Sequence, residues 1–517
     1  MGQRGAILRE LGVVAALAAV FVPMSLVRLV DADEGVYLIN ARMVLEGQLP
    51  FHDFHYPQMF LLPYLYAGWM GVAGIGWYSA RVFSALLAVG LGWALYRHVA
   101  WLGGRRTWGA IAALVFVTSS LAFAWLPLVK TYAFGTLALF LAYGVTCRGP
   151  ERWRWTLAGA LVGLAIDTRL YVVAVVPVLA LAAWRQPAPP GPAVSNRVGS
   201  PRMRTLGHFS LGLALALLPN LLFILPDPET FFFNVVGHHA IRSDAGLVGA
   251  IPQKIAALGT MLGLNGSYGA TSLQFTLLAL ANLALGVSCA ALRTPLPLSL
   301  QLAGVLLVVS LVPTPTYPQY FTMFLPFMVV AAAELVLAVA RETGPGRLRR
   351  RLGAALALLV GLHVAIAPID VWWFTVGGDI VPGVFTRANV KNWTIPAITR
   401  VGRAIDEAMP PEATTAISWW PGYFVETRAR VIPELANPFT LWFTARLEPG
   451  ERARRGLLSH ADIARRIQQR AVPVVVLGNW VTPGVHGVYR DLIRTSGYSE
   501  VQRLGDTEIY RLPDGAR

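Results

Sequence analysis

Apolar residues in this chain gather into runs close to the length that crosses a bilayer as a helix, roughly 20 residues. The pattern predicts a first span over 11–30, followed by a polar and aromatic loop over 31–57. Residues 57–75 are apolar but interrupted by Pro63, Gly68, Gly71 and Gly74. Such breaks are tolerated where protein covers the backbone, so this stretch predicts an interfacial or re-entrant helix. Further spans are expected at 78–97, 107–124, 127–146, 155–167 and 170–184. The stretch 186–204 is rich in Pro and Gly with scattered Arg and reads as a cytoplasmic linker. Spans at 206–225, 271–290 and 296–313 come next, with a second long loop over 226–270 and a short one over 313–320. A tenth span ends near Ala340 and an eleventh covers 353–372. From about 386 charges return. Strand-like runs at 414–418 and 472–477 alternate with helical patterns at 461–469 and 487–494. The expected fold is thus an α-helical polytopic membrane protein of about 11 transmembrane helices, residues 1–385, with a small C-terminal α/β soluble domain, residues 386–517.

Composition excludes the main alternatives. Hydrophobic residues make up 55% of the chain and charged ones 14%, with a mean hydropathy of +0.54. A soluble chain carries about 25% charge, so one water-soluble domain and a disordered chain are both ruled out. The formal charge is +15, from 43 basic and 28 acidic residues. Arginines concentrate in short inter-span loops, such as Arg105–Arg106, Arg148–Arg154 and Arg347–Arg351. That bias predicts a cytoplasmic N-terminus and a periplasmic or extracellular C-terminal domain. The charge therefore reports topology and anionic membrane lipid, with no nucleic-acid partner. Cys147 and Cys289, the two cysteines, sit at predicted cytoplasmic helix ends, so the tail has neither a disulfide framework nor a Cys-based zinc motif. The first apolar run follows Arg4 and Arg9 but lacks a small-residue cleavage site, and is expected to be retained as a span rather than removed as a signal peptide.

Ionisable groups at or near membrane depth are costly, and that makes them functional candidates. Asp31-Ala32-Asp33-Glu34 follows the first span. Val36, Ile39 and Met43 then share one face of a short helix, 35–46, expected to lie in the interface. The acids suit the positive end of its dipole, and a purely capping role competes with a chemical one. Arg42 and Asp53 read either as local contacts or as substrate contacts. Phe231-Phe232-Phe233 reads as an interface anchor before a sugar platform, and Ser418–Tyr423 as core packing or a stacking surface.

The stretch Asp33-Glu34-Gly35-Val36-Tyr37, with Leu45-Glu46-Gly47 and His55-Tyr56-Pro57-Gln58, resembles the first outer loop of the GT-C superfamily. These are integral-membrane glycosyltransferases that use lipid-phosphate sugars. The family 39 and 83 types, protein O-mannosyltransferases and lipid A aminoarabinose transferases, are the most similar in pattern. Ser79-Ala80-Arg81, Gly163-Leu164-Ala165 with Thr168-Arg169, His239-Ala240-Ile241-Arg242, and Tyr317-Pro318-Gln319-Tyr320 with Pro326 follow in the matching order. The resemblance covers roughly residues 10–370.

It implies a GT-C-like fold and an inverting transfer of a sugar from a polyprenyl-phosphate donor to a hydroxyl or amine of a lipid, glycan or protein acceptor. It also implies a bacterial inner membrane location. Asp33 is then the candidate general base, with Glu34 beside it. Adjacent helical residues do not share a face, so one of the pair is expected to be structural. Arg242, Arg169 and Lys130 are candidates to hold the phosphate. His239, His55, Tyr56, Arg42 and Tyr320 are candidates for substrate binding. No cofactor is required; His55 beside His239 keeps a divalent metal open, although the spacing is unlike a local zinc motif. Relatives often carry an acid at the outer start of the fourth span, where this chain has Leu128-Val129-Lys130-Thr131-Tyr132. Asp167 is the candidate to compensate. Two other classes remain: a transporter or lipid flippase, which predicts paired repeats and broken helices, and a non-catalytic scaffold in envelope polysaccharide assembly. A scaffold would tolerate Asp33→Asn.

Overall fold

The computed structural model describes residues 3–186, 201–242, 246–264, 269–343, 346–378, 387–478 and 483–513. Most of the expected linker, and the expected boundary at 385/386, lie outside the described residues.

Length and apolarity sort the helices. Among the described residues five are long and apolar enough to cross a membrane: Ile7–Val27, Trp77–Leu102, Arg202–Ile224, Gly269–Ala291 and Arg347–Gly377. Shorter apolar helices stand at Arg106–Thr118, Arg154–Ile166, Leu170–Trp184 and Leu298–Ser310. The chain is a multi-pass membrane protein. The elements that position the site come mainly from its first third: α1 (Gln3–Val27), α2 (Ala32–Leu45), α3 (Leu61–Ala73), α4 (Trp77–Leu102), α5 (Arg106–Thr118), α6 (Ser120–Phe123), α7 (Tyr132–Arg148) and α8 (Arg154–Ile166).

The broken apolar stretch forms α3, with Pro63 in its first turn and Gly74 ending it at φ 84°. At 13 residues α3 measures about 20 Å, short of the hydrocarbon core. The third expected span is interrupted. Ser119 leaves the helical region at ψ 129°, and α6 restarts with Ser120. The Gln274 Oε1 accepts from the Ser120 N–H and hydroxyl, which satisfies the break. The following turn, also buried, delivers Lys130 to the start of α7.

α2 corrects an expectation. It does not lie with one face in the interface: both Ile39 and Asn40, on different faces, are buried. It is covered by α3 and by the C-terminal domain. A Cβ on Gly35 would stand 2.6 Å from the Gly422 Cα, so glycine permits the approach. Trp420 donates its indole N–H to the Ala32 carbonyl at 2.9 Å, and Trp77 and Trp393 pack on its ring. The second long loop is mostly short helices, among them Pro228–Phe232, His238–Ile241 and Ile251–Met261.

The C-terminal domain holds a five-stranded sheet of order β2-β1-β3-β5-β4, with β1 Thr415–Ser418, β2 Arg430–Val431, β3 Val474–Leu477, β4 Ser499–Leu504 and β5 Thr507–Arg511. β2, β1 and β3 run parallel, and β5 and β4 are antiparallel. The helices Ile395–Ala408, His460–Gln468 and Pro483–Thr495 accompany it. Its core is continuous with that of the helical bundle through the tryptophans around Ala32.

Candidate active site

A cavity of about 260 Å³ opens where the start of α2 meets the Lys130 turn, Arg169, the helix His238–Ile241, the segment Tyr317–Tyr320 and the C-terminal segment Asn437–Trp442. Its geometry starts at the first turn of α2. Asp31 caps the helix by accepting from the Asp33 N–H at 3.0 Å, and Glu34 returns its Oε1 to the Asp31 N–H at 2.9 Å. Rotation along the helix then separates the two neighbouring acids. Glu34 turns inward, fully buried, and meets Arg81 of α4 in a bidentate pair at 2.6 and 2.8 Å. Asp33 turns into the cavity with its side chain 37% exposed.

Lys130 bridges two carboxylates: its Nζ stands 2.7 Å from Asp31 Oδ1 and 2.9 Å from Asp33 Oδ2. Burial works against this ammonium, but Asp31 and Asp33 outweigh it and hold its pKa above the usual lysine value. Arg169 donates to the Thr131 hydroxyl at 2.8 Å, and its guanidinium faces the rings of Tyr132, Tyr171 and Tyr320 at 4.7–4.9 Å. Arg242, half-buried, stands 5.8 Å from the Tyr317 ring. Lys130 thus pairs with both carboxylates, and Arg169 and Arg242 line the same cavity as Asp33. Arg169 Nε, Tyr56 Oη and Gln319 Oε1 belong to residues lining the same cavity, and these atoms are buried without hydrogen-bond partners among the described residues. Orphaned buried polar atoms at a cavity mark groups that a ligand can satisfy.

No family model and no curated protein matches the sequence. Solved structures do. ArnT from Cupriavidus metallidurans bound to undecaprenyl phosphate aligns over 99% of this chain and 99% of that one, at 16% identity and a TM-score of 0.60. Its apo state aligns over 98% of both, at 15% identity and the same TM-score. The chain has an ArnT-like fold. The archaeal oligosaccharyltransferase AglB from Archaeoglobus fulgidus, in complex with an inhibitory peptide and a dolichol-phosphate, aligns over 98% of this chain and 74% of that one, at 14% identity. Its TM-score is 0.44.

Within this fold the expected residues separate into two groups. Asp33, Lys130, Arg169, His239, Tyr56, Arg242 and Tyr320 line the one cavity. Glu34, His55 and Arg42 do not. Glu34 is consumed by Arg81. Arg42 donates to the carbonyls of Phe424 and Thr427 at 2.6 and 2.8 Å and pairs with Glu46 at 3.0 Å, so it clamps the C-terminal domain onto α2. His55 is buried and shares a 3.0 Å hydrogen bond with His238 Nδ1, not with His239, which faces the Pro57 carbonyl at 2.9 Å. Burial pushes the His55 pKa down to about 3 and that of His239 to about 4. Among the described residues no group of three or more His, Cys, Asp or Glu is arranged to hold a metal.

Asp53 accepts from the Leu49 N–H and pairs with His52, a local role. Phe231 packs on Phe51, Phe232 is 54% exposed, and Phe233 lies under the Arg455 guanidinium. Asp167 accepts from Asn220 at 2.7 Å and does not line the cavity, so it does not replace the missing acid there. The sequence named Asp31 only within the acidic cluster, and Tyr37, Tyr132 and Gln319 only within longer stretches, and gave none of the four a role of its own. Tyr37 was findable, because it follows Asp33 by one helical turn. Asn437, Phe439 and Trp442 carried no signal at all.

Proposed function

We propose that the chain is a membrane glycosyltransferase that moves a sugar from a polyprenyl-phosphate donor to an acceptor hydroxyl or amine. The observation that carries the reading is Asp33, a partly exposed carboxylate in a cavity that also presents Lys130, Arg169 and Arg242. The fold's likeness to a structure bound to undecaprenyl phosphate supports a lipid-phosphate donor.

The reaction is a single displacement. The acceptor oxygen or nitrogen forms a bond to the anomeric carbon, and the bond from that carbon to the phosphate oxygen breaks with inversion. Asp33 takes the acceptor proton, and polyprenyl phosphate leaves with the bonding electron pair. The three cations meet the charge that develops on the phosphate, in a site where protein replaces water. Tyr56, His239 and Tyr320 contact the sugar. The lipid tail lies along the apolar bundle, and the site opens on the periplasmic or equivalent outer face.

The test uses the full chain in nanodiscs with a panel of polyprenyl-phosphate sugars, following released polyprenyl phosphate. One donor is expected to turn over, and Asp33→Asn is expected to lower kcat by about 10²–10⁴-fold, the usual worth of a positioned base. Full activity in Asp33→Asn would remove Asp33 from the mechanism. A wild type that neither binds nor turns over any donor would overturn the class.

A further inference from the structure

We propose that Asp31 is a positioning residue of this site: it anchors the Lys130 ammonium beside Asp33 and leaves that ammonium one N–H for a phosphate oxygen of the ligand. The inference rests on the glycosyltransferase reading for what the ligand is, but not for the geometry.

Asp31 has two jobs, and only one of them needs a charge. It caps α2, and Asn or Ser caps a helix as well as Asp does. A carboxylate with no exposed surface is costly unless it is paired. The pairing partner is Lys130, at 2.7 Å. The Asp31 Oδ2 has no hydrogen-bond partner among the described residues, so the interaction with Lys130 runs through Oδ1 alone. A lysine ammonium carries three N–H groups. Asp31 and Asp33 engage two of them. The Trp125 ring closes one side at 5.3 Å, and the Arg28 guanidinium sits on that ring at 4.7 Å. Lys130 and Arg28 thus share the Trp125 ring. The direction left for the third N–H is the cavity that Lys130 lines.

The consequence appears during transfer. As Asp33 takes the acceptor proton it loses its charge, while negative charge grows on the leaving phosphate. The attraction of Lys130 then passes from Asp33 to the phosphate. Without a second anchor the ammonium would be buried beside a neutral acid. Asp31 keeps it charged and in place, so the gain falls on the transition state rather than on the bound donor. The charged and titratable groups around Lys130 are Asp31 and Asp33 from the start of α2, Glu34, which accepts from the neighbouring Val129 N–H, Tyr37 from the next turn, Tyr132 from α7 with Arg169 beside its ring, and Arg28 on the shared Trp125 ring.

Asp31→Asn isolates the charge, because it keeps the cap. In the full chain in nanodiscs it should lower kcat/KM for the donor about 10²-fold, move the alkaline limb of the pH profile to lower pH, and weaken polyprenyl phosphate binding. Asp31→Glu should recover part of each. A wild-type pH profile and wild-type phosphate affinity in Asp31→Asn, whatever happens to Tm, would leave Asp31 as a cap and overturn the proposal. A second arm guards against poor folding. Lys130→Met and the Asp31→Asn/Lys130→Met pair are compared by titration with polyprenyl phosphate. If Asp31 acts through Lys130, adding Asp31→Asn to Lys130→Met changes affinity no further; strictly additive losses would overturn the inference. This arm needs no turnover. If wild type transfers no sugar, the functional reading fails while the binding cycle still decides the role of Asp31.

Discussion

Two acids joined by one peptide bond have opposite fates here, and the reason is where their partners lie. Glu34 faces Arg81, 47 residues away on α4, with both side chains at 0% exposure. Asp33 faces the cavity. Breaking a buried pair from one side leaves an uncompensated charge, at a cost of about 3–5 kcal/mol. Glu34→Gln should therefore lower Tm in detergent by many degrees. Asp33→Asn should leave Tm close to wild type and remove turnover. Comparable Tm losses in the two variants would refute this division. The cluster Asp31–Glu34 and the expectation that one acid is structural were legible in the sequence. Which acid is structural was not, because that depends on a contact between distant helices. The same holds for Lys130. The sequence showed a lysine where relatives often carry an acid, with Asp167 as the candidate to compensate, but its pairing with Asp31 at 2.7 Å is made only by the fold.

At the scale of elements, α2 behaves as a core helix. In an isolated helix, Gly→Ala is worth up to about 1 kcal/mol of added stability. Gly35→Ala should do the reverse, since the new Cβ would meet the Gly422 Cα at 2.6 Å and Trp420 Cζ2 at 2.9 Å. Overpacking of this kind costs about 1–3 kcal/mol. A lower Tm with altered tryptophan fluorescence is expected, and a stabilised variant would contradict the tight docking of Trp420 on α2. The contact between residues 51–57 and the helix His238–Ile241 makes a second element-level prediction. His55 is buried and His239 half-buried, with pKa values lowered by loss of solvent to about 3 and about 4. An unfolded chain binds protons at its histidines below about pH 6.5, while this fold refuses them. The stability they contribute is complete above about 6.5 and is lost as pH falls toward the folded values. Tm should drop between pH 6.5 and 4.5, and His55→Asn should flatten that slope; an unaltered slope would exclude His55 as a source. Long apolar helices were legible from hydropathy alone. The helices of the second loop were not, since His238–Ile241, at four residues, is too short to show a helical period.

At the scale of the whole molecule, the cavity belongs to neither part of the chain alone. The bundle supplies the charges, while Asn437, Phe439 and Trp442 of the C-terminal domain supply a wall. Arg446 reaches the Ile241 carbonyl at 3.0 Å and Arg455 pairs with Glu229 at 3.0 Å, so that wall is tied to the loop bearing His238, His239 and Arg242. That the domain covers the site was an expectation from its side of the membrane, but which residues form the wall and its ties was not legible beforehand. Two strands and two helices of the domain showed in the local pattern, but β2, β4, β5 and the wall are defined by long-range pairing. The fold, by contrast, followed from the order of motifs, because span lengths and loop acids are local properties. Trp442 separates a propping role for the domain from a share in the site. It lines the cavity yet is 52% exposed, so truncating it removes little packing. A domain that shapes the substrate site predicts that Trp442→Ala raises KM for donor or acceptor about tenfold, equivalent to about 1.4 kcal/mol of binding. Tm should stay within about 2 °C of wild type, because a loss of 1 kcal/mol shifts a large protein by no more than a few degrees. Unchanged kinetics would mean that the domain contributes only by burying α2. A large fall in Tm would mean that the side chain belongs to the core and not to the wall.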